Sequence, residues 1–474
     1  MQELEKLFQE LTHEKLLSKE ELSASGSNRR YFRLESKKTS LIGVEGTSIE
    51  ENKAFIEMAK HFHNQGLSVP KFLAQTEDGR FYIQEDLGDT LLFDAIAEGR
   101  KTGVFCEQEK ELLRKTMRKL PAIQVLGAQD FDFSICYPQP KFNERSILWD
   151  LNYFKYCFLK STGLDFQENL LEDDFARLSE LLLRSQSNTF MYRDFQSRNV
   201  MIKDDEPYFI DFQGGRKGPL YYDVASFLWQ AKAQYKKELR EELLQAYLDA
   251  LKGFMPVNEA DFKEQLKHFV LFRTLQVLGA YGFRGYFEKK PHFLQSIPFA
   301  LENLRAILKN EFSEYPYLLR ILKQMTQLKQ FQEVSVRKPL VVKVYSFSYK
   351  KGIPQDDSGN GGGYVFDCRA VNNPGKYERY AHFTGLDESV IQFLEDDGEI
   401  LPFLEHSFEL VDASVRRYKD RGFANLMVSF GCTGGQHRSV YSAQKMAEHL
   451  NSTFNIEVQL IHREQNKEEL FPSK

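Results

Sequence analysis

The sequence predicts an α+β unit of two lobes followed by a smaller α/β unit built on a mainly parallel sheet. Three observations carry this reading. Residues 1 to about 90 alternate short strand patterns with a single helix. From about 91 to 330, apolar residues recur at three- and four-residue steps. Beyond about 338, strand and helix patterns take turns. A chain of 474 residues has the length for two or three domains.

Leu4, Leu7, Phe8 and Leu11 share one face of an opening helix. YFRLES (31–36) and LIGVE (41–45), separated by polar KKTS, form a hairpin, and ENKAFIEMAKHFHNQ is a helix that Gly66 stops. KFLAQTEDGRFYIQEDLG follows as a second strand pair turned at Asp78-Gly79, which completes a small lobe of about 1–90. The helical lobe, about 91–330, contains QEKELLRKTMRKLPAIQVL, SILWDLNYFKYCFLK and EELLQAYLDALKGF. One interruption, between Phe190 and Tyr222, reads as loop, strand, polar turn, strand and loop, and such an island points to function. Polar QFQEVSVRKP (330–339) is the linker between a first domain of residues 1–335 and a second of 338–474. In the second, VVKVYSFS, YVFDCRAV, NLMVSFG and IEVQLIH are strands, with helices near 387–397, 401–420 and 438–451.

Composition removes several classes. Hydrophobic residues at 42% and charged residues at 28% exclude disordered and low-complexity chains. A net charge of -5 excludes a general attraction to nucleic acid or anionic lipid. Five cysteines, far apart, odd in number and without a CxxC pair, point to reduced thiols and a cytoplasmic protein. The opening MQELEKLFQELTHEK has no apolar run, so neither signal nor transit peptide is expected. No stretch approaches the roughly 18 apolar residues of a membrane span.

Tyr192-Arg193-Asp194-Phe195-Gln196-Ser197-Arg198-Asn199 sets an Asn five positions after an Asp, and Ile210-Asp211-Phe212-Gln213 brings a second Asp twelve positions later. Phosphoryl transfer needs such parts: one carboxylate for the acceptor hydroxyl's proton, and oxygen ligands that hold Mg²⁺ against the phosphates. Asp-x4-Asn alone is a weak signal; a second Asp at a strand end strengthens it.

Residues 190–223 resemble the catalytic loop and metal segment of the kinase-like phosphotransferases, the aminoglycoside and choline kinase group. Within that group, residues 1 to about 330 are most similar to bacterial kinases of N-acetylmuramate and N-acetylglucosamine. The resemblance implies a bilobal protein-kinase-like domain, ATP and Mg²⁺, and an amino sugar phosphorylated at its anomeric hydroxyl. It implies Asp194 as catalytic base, Asn199 and Asp211 as metal ligands, and Asp223 as a support of the loop. It assigns Gly26, Ser27, Asn28, Arg29 and Arg33 to nucleotide binding around the phosphate-covering turn, and Glu85 to the adenine-contacting hinge. Two positions depart from the family pattern. Strand 41–45 has no lysine, so phosphate charge falls to Arg29, Arg30 or Arg33, and the usual loop histidine is Tyr192.

NLMVSF runs into Gly431-Cys432-Thr433-Gly434-Gly435-Gln436-His437-Arg438-Ser439 and then a helix. A glycine-rich loop between a strand and a helix N-terminus is a phosphate cradle, to which Arg438 can add a bidentate contact. Cys432 and Arg438 also have the spacing of a cysteine phosphatase loop, although Gly431 stands where a His is expected. Residues 340–465 resemble the carboxy-terminal domain of the RNase adapter RapZ, through KGIP (351–354), YVFDCR (364–369), Asn373-Pro374, TGLD (384–387) and GCTGGQHRSVY. That resemblance implies a sensor site for a hexosamine phosphate, glucosamine 6-phosphate, formed by Asp367, Cys432, Thr433, Gly434, Gly435, His437 and Arg438. The same domain binds RNA through basic residues, whereas 338–474 here holds 16 Lys+Arg against 19 Asp+Glu, which argues against RNA. GxxxxGK[ST] occurs nowhere, so RapZ's P-loop domain is replaced. Three classes stay open: a sugar kinase with a regulatory domain, a non-catalytic sensing adapter, and a kinase joined to a cysteine phosphatase. Oligomeric state is open.

Overall fold

Short strands make the first sheet, and its central strands, Ser40–Glu45 and Phe81–Glu85, bury consecutive residues and so pack on both faces. The computed structural model describes residues 2–22, 29–185, 188–310, 312–332, 340–356, 358, 361–421 and 423–473. The chain divides into units Met1–Gln332 and Glu333–Lys474. Expected linker residues 333–339 lie outside the described residues.

In the first unit, strands β1 (Ser18–Leu22), β2 (Arg30–Glu35), β3 (Ser40–Glu45), β4 (Phe72–Gln75) and β5 (Phe81–Glu85) form one antiparallel sheet in the order β1-β2-β3-β5-β4. Helix α1 (Gln2–Thr12) buries Leu4 and Phe8 against Phe32, Leu34, Leu41, Phe81 and Ile83 on one face. Gly43 permits that approach, since a Cβ there would come 2.9 Å from Leu34 and 3.1 Å from Leu4. Helix α2 (Ile49–Asn64), capped by the Ser48 side chain on the Glu51 N–H, covers the other face with Phe55, Met58 and Phe62 against Ile42, Val44 and Tyr82. Its buried Asn52 donates to the carbonyls of Gly46, Gly79 and Arg80, tying two loops to the helix.

The second lobe is built on helices α3 (Glu107–Val125), α4 (Glu144–Phe154), α5 (Glu168–Arg184), α6 (Tyr221–Leu228), α7 (Lys237–Leu251), α8 (Glu259–Gly282), α9 (Ile297–Ile307) and α10 (Pro316–Thr326). Helix α8 buries Phe262, Phe269, Leu271, Phe272 and Leu275, residues on all its sides, which marks it as the central helix. It crosses α4 and the π-turn Lys155–Leu159 at backbone contact distance. A Cβ on Gly279 would lie 2.8 Å from the Phe154 nitrogen, and one on Gly282 only 2.2 Å from the Cys157 carbonyl oxygen. The functional island is two small ladders. β6 (Thr189–Met191) pairs with β9 (Arg216–Gly218), and β7 (Val200–Lys203) with β8 (Glu206–Phe209), turned by Asp204 and Asp205, both at positive φ.

The second unit's sheet has the order β11-β12-β10-β13-β14: β10 (Val341–Ser348), β11 (Tyr364–Asp367), β12 (Asn425–Cys432) and β13 (Glu457–His462) run parallel, and β14 (Lys467–Phe471) pairs antiparallel with β13. Helices α11 (Glu388–Asp397), α12 (Ile400–Arg421) and α13 (Arg438–Phe454) accompany it. β12 is buried on both faces, as a near-continuous apolar run in a parallel sheet requires. Strands β1 and β14, SKEEL and KEELF, were not expected from sequence. Both are sheet edges with mostly exposed side chains, so the apolar alternation that betrays a strand is missing. Among the described residues, no helix is long and apolar enough to cross a membrane.

The glycine contact on α8 sets a measurable expectation. Gly282→Ala forces α8 off the Cys157 carbonyl and should cost about 1–3 kcal/mol, read as a lower urea midpoint at unchanged m-value; an unchanged midpoint would show that the crossing relaxes freely.

Candidate functional site

The loop between β6 and β7 is shaped by one buried acid. Asp223, on the first turn of α6, accepts the Tyr192 N–H on Oδ2 and the Arg193 N–H on Oδ1, each at 2.8 Å, and a third bond comes from the Gln124 amide at 3.1 Å. Arg193 takes the left-handed φ of 76° that this grip demands. Tyr192, buried, donates its hydroxyl to the carbonyl of Ile210, so a phenol fills the place of the expected histidine and joins the loop to the strand end before Asp211. Ser197, through its N–H and hydroxyl, meets Gln230.

Asp194, Asn199 and Asp211 then line one cavity of about 520 Å³ together with Arg273, Tyr281 and Trp229. Asp194 is half-exposed, 3.7 Å from the Arg273 guanidinium. The Asn199 amide nitrogen donates to the Asp194 carbonyl at 2.8 Å, which leaves the amide oxygen as the end available to a cation. Asp211 holds φ at 66° and accepts the Gln213 amide at 2.7 Å. Burial pushes its carboxyl above the ordinary range, and Asp194 adds to the rise. Among the described residues, the Gln213 Oε1 is buried without a hydrogen-bond partner. This hard, oxygen-only set fits Mg²⁺, which takes few protein ligands and completes its shell with water and phosphate. Among the described residues, no cluster of three or more His, Cys, Asp or Glu is placed to hold a metal alone.

On the small-lobe side the three arginines part company. Arg30 pairs with Glu21 and Glu45, and Arg33 with Asp86 and Asp89. Arg29 is buried, 3.7 Å from Glu51 of α2, over the Phe55 ring and within the electrostatic reach of Asp211. Arg30 and Arg33, expected as phosphate charges, are held here by carboxylates of their own sheet and hinge. Glu85 pairs with Lys203 at 2.6 Å, joining β5 to β7. Gly26, Ser27 and Asn28 lie outside the described residues.

In the second unit, Asp367 and Cys432 end strands β11 and β12 at the same edge, Asp367 being in register with Gly431. Cys432 is buried, its Sγ 3.1 Å from the Ser439 hydroxyl and accepting the Gly435 N–H at 3.2 Å. Burial pushes the thiol up, but bonds from Ser439, Gly435 and Gln436 outweigh it and leave it below the ordinary value. Gly435, at φ 67°, is packed so that a Cβ would lie 2.4 Å from Glu464 and 2.9 Å from the Ser348 nitrogen. Thr433 and Gly434 are exposed ahead of α13. His437 donates to the Tyr380 carbonyl at 3.0 Å. The Arg438 guanidinium is buried on the carbonyls of Arg369 and Val371, at 3.0 and 2.6 Å. Arg438, expected to make a bidentate anion contact, here laces the loop to the segment after β11 through one guanidinium nitrogen. Asp367 is held by Arg369 at 2.6 Å.

Sequence reasoning missed Arg273 and Tyr281 on α8 and Gln230 just beyond the end of α6, which return to the loop from 30 to 90 residues downstream. The one sequence signal for Arg273 and Tyr281 is polar residues inside an apolar helix.

The model of the phosphotransferase enzyme family matches residues 20–257, and that of the RapZ C-terminal domain residues 340–466. An N-acetylmuramate/N-acetylglucosamine kinase of Pseudomonas aeruginosa is 26% identical over 313 residues, 64% of this chain and 88% of that protein. A nucleotide-binding protein of Pseudothermotoga lettingae is 33% identical over 127 residues, 27% of this chain and 43% of that protein, so the chain spans less than half its length. Among solved structures, a spectinomycin phosphotransferase in complex with ADP and spectinomycin superposes at a TM-score of 0.43 and 13% identity, over 69% of this chain and 98% of the other.

Burial raises the Asp223 carboxyl from 3.8 to about 7, against the lowering by its three hydrogen bonds. An acid whose folded pKa stands above its unfolded one binds more protons folded than unfolded, so its contribution to stability falls as pH rises from about 4 to about 7. Urea unfolding of wild type and Asp223→Asn should therefore show their stability difference shifting against wild type between pH 4 and pH 7, then levelling off. A constant difference would mean that Asp223 is ionised throughout.

Proposed function

The chain belongs to the phosphotransferase enzyme family, and from that membership we propose an ATP- and Mg²⁺-dependent kinase of an N-acetylated amino sugar, with a second domain that binds a hexosamine phosphate. The acceptor is of the N-acetylmuramate or N-acetylglucosamine type, and the hydroxyl phosphorylated is the anomeric one. One observation supports the reading above others: Asp194, Asn199 and Asp211 converge on a single cavity of about 520 Å³.

Asp194, exposed enough to meet an acceptor, orients the hydroxyl and takes its proton as the new oxygen–phosphorus bond forms and the β–γ bridge breaks to release ADP. Asn199 and Asp211 would hold Mg²⁺, which when bound neutralises charge on the β- and γ-phosphates. Arg29, braced by Glu51 and facing Asp211, takes the role of the missing strand lysine. Gly26, Ser27 and Asn28 cover the phosphates, and Glu85 marks the adenine hinge. In the second domain, the backbone N–H groups at Thr433 and Gly434, ahead of the 17-residue α13, receive the ligand's phosphate, and Asp367 its sugar hydroxyls. The buried lacing of Arg438 favours ligand binding over a phosphatase, which needs that guanidinium on the phosphate.

ADP release with ATP and Mg²⁺ should be confined to amino sugars in a panel with aminoglycosides and choline, and Asp194→Asn should cost about 10²- to 10⁴-fold. No turnover on any acceptor would favour the sensing adapter. Glucosamine 6-phosphate should bind calorimetrically where glucosamine does not, and Gly435→Ala, which forces a Cβ into Ser348 and Glu464, should abolish that binding; undiminished binding would move the ligand elsewhere.

A further inference from the structure

A second, smaller recess adjoins Asp194 on the side of α4. Its volume is about 60 Å³, room for a carboxylate or two waters and not for a sugar ring. Arg193, Arg216 and Asp150 line it with Tyr222, and Trp149 stands at its rim, 54% exposed. Arg216 is 2% exposed, and among the described residues its guanidinium reaches one acceptor, the carbonyl of Gly214, at 3.2 and 3.4 Å. Arg193, which lines the recess, immediately precedes Asp194, so the recess begins one residue from that carboxylate.

The charges around the recess do not balance. Arg193 and Arg216 face one another and Asp150, yet among the described residues none of the three forms an ion pair within 4 Å. Burial pushes the Arg216 guanidinium down to about 10, and repulsion by Arg193 adds to the fall. Burial also pushes the Asp150 carboxyl up. Counting the neighbouring Arg273 and Asp194, three guanidiniums stand against two carboxyls, which leaves a positive excess of the kind proteins keep where a ligand supplies the anion. A planar guanidinium matches the paired oxygens of a carboxylate or a phosphate, and a recess of about 60 Å³ suits the smaller of the two.

We propose that the recess is the acid end of the acceptor site: it takes a carboxylate carried by the acceptor sugar, gripped by Arg216 with Arg193 behind it, while the ring lies over Trp149 with its reacting hydroxyl at Asp194. The inference rests on the amino-sugar kinase reading and narrows it to acidic amino sugars. Asp150, whose carboxyl looks into the same recess, limits the affinity and tolerates a neutral acceptor less tightly bound.

N-Acetylmuramate, its methyl ester and N-acetylglucosamine separate the carboxylate from the rest of the sugar. In wild-type protein the acid should exceed both others in kcat/KM by about tenfold or more, and Arg216→Gln should lower kcat/KM for the acid by about 10²-fold, far more than for the ester or the neutral sugar. Asp150→Asn should tighten binding of the acid several-fold, a gain that misfolding does not produce. Equal treatment of acid and ester by wild type, or an equal loss on all three acceptors in Arg216→Gln, would overturn the proposal. Calorimetric affinities without nucleotide keep it distinct from the kinase reading. Acid-selective binding without turnover upholds the recess and sinks the kinase; turnover without acid selectivity does the reverse.

Discussion

The grip of Asp223 on two consecutive backbone N–H groups is the constraint on which the first unit's chemistry depends. It fixes Tyr192 and Arg193 from α6, turns Arg193 through a left-handed φ, and thereby brings Asp194 out of the core to the mouth of a cavity. A carboxylate buried at that depth is costly unless its oxygens are occupied, and the loop amides with Gln124 occupy them. The exchange is mutual: the acid needs donors, and the loop, too short to form its own ladder, needs an acceptor. Tyr192 extends the same logic to the Ile210 carbonyl, so that Asp194 and Asp211 are placed by one connected network.

Charge is distributed around this network with purpose. Arginines that serve architecture are paired: Arg30 and Arg33 on the small lobe have carboxylate partners, and Arg438 in the second unit has two carbonyls. Beside the reacting carboxylates the arginines differ. Arg273 is held by the Ser226 hydroxyl at 3.1 Å and by the Gln276 side-chain oxygen while it stays 3.7 Å from Asp194, whereas Arg216, among the described residues, touches a single carbonyl. A loosely met guanidinium close to acids is suited to exchange partners with a ligand; a tightly paired one is not.

Much of this was legible in the sequence, for identifiable reasons. The helix and strand periods of the small lobe and of the parallel sheet come from side chains that must alternate between core and solvent, and alternation is visible along a chain. Asp194, Asn199 and Asp211 are close to one another in sequence because a loop and a strand end carry them, and the residues of the loop at Cys432 are contiguous, so in each case spacing is itself a signal. The recess was not legible. Asp150, Arg193 and Arg216 come from a helix, a loop and a strand that meet through folding, and an arginine's burial cannot be seen from its neighbours. SKEEL and KEELF escaped because edge strands carry no apolar stripe. The destination of Arg438 escaped because carbonyl acceptors are common to every residue.

The chain has two tryptophans, Trp149 and Trp229. One stands at the rim of the small recess and the other lines the large cavity, with the Arg240 guanidinium 5.2 Å from its ring. Residues 333–474 contain none. Indole emission from the intact protein is therefore an unlabelled optical signal of what occupies the two cavities beside Asp194, and it carries no contribution from indoles in the second unit.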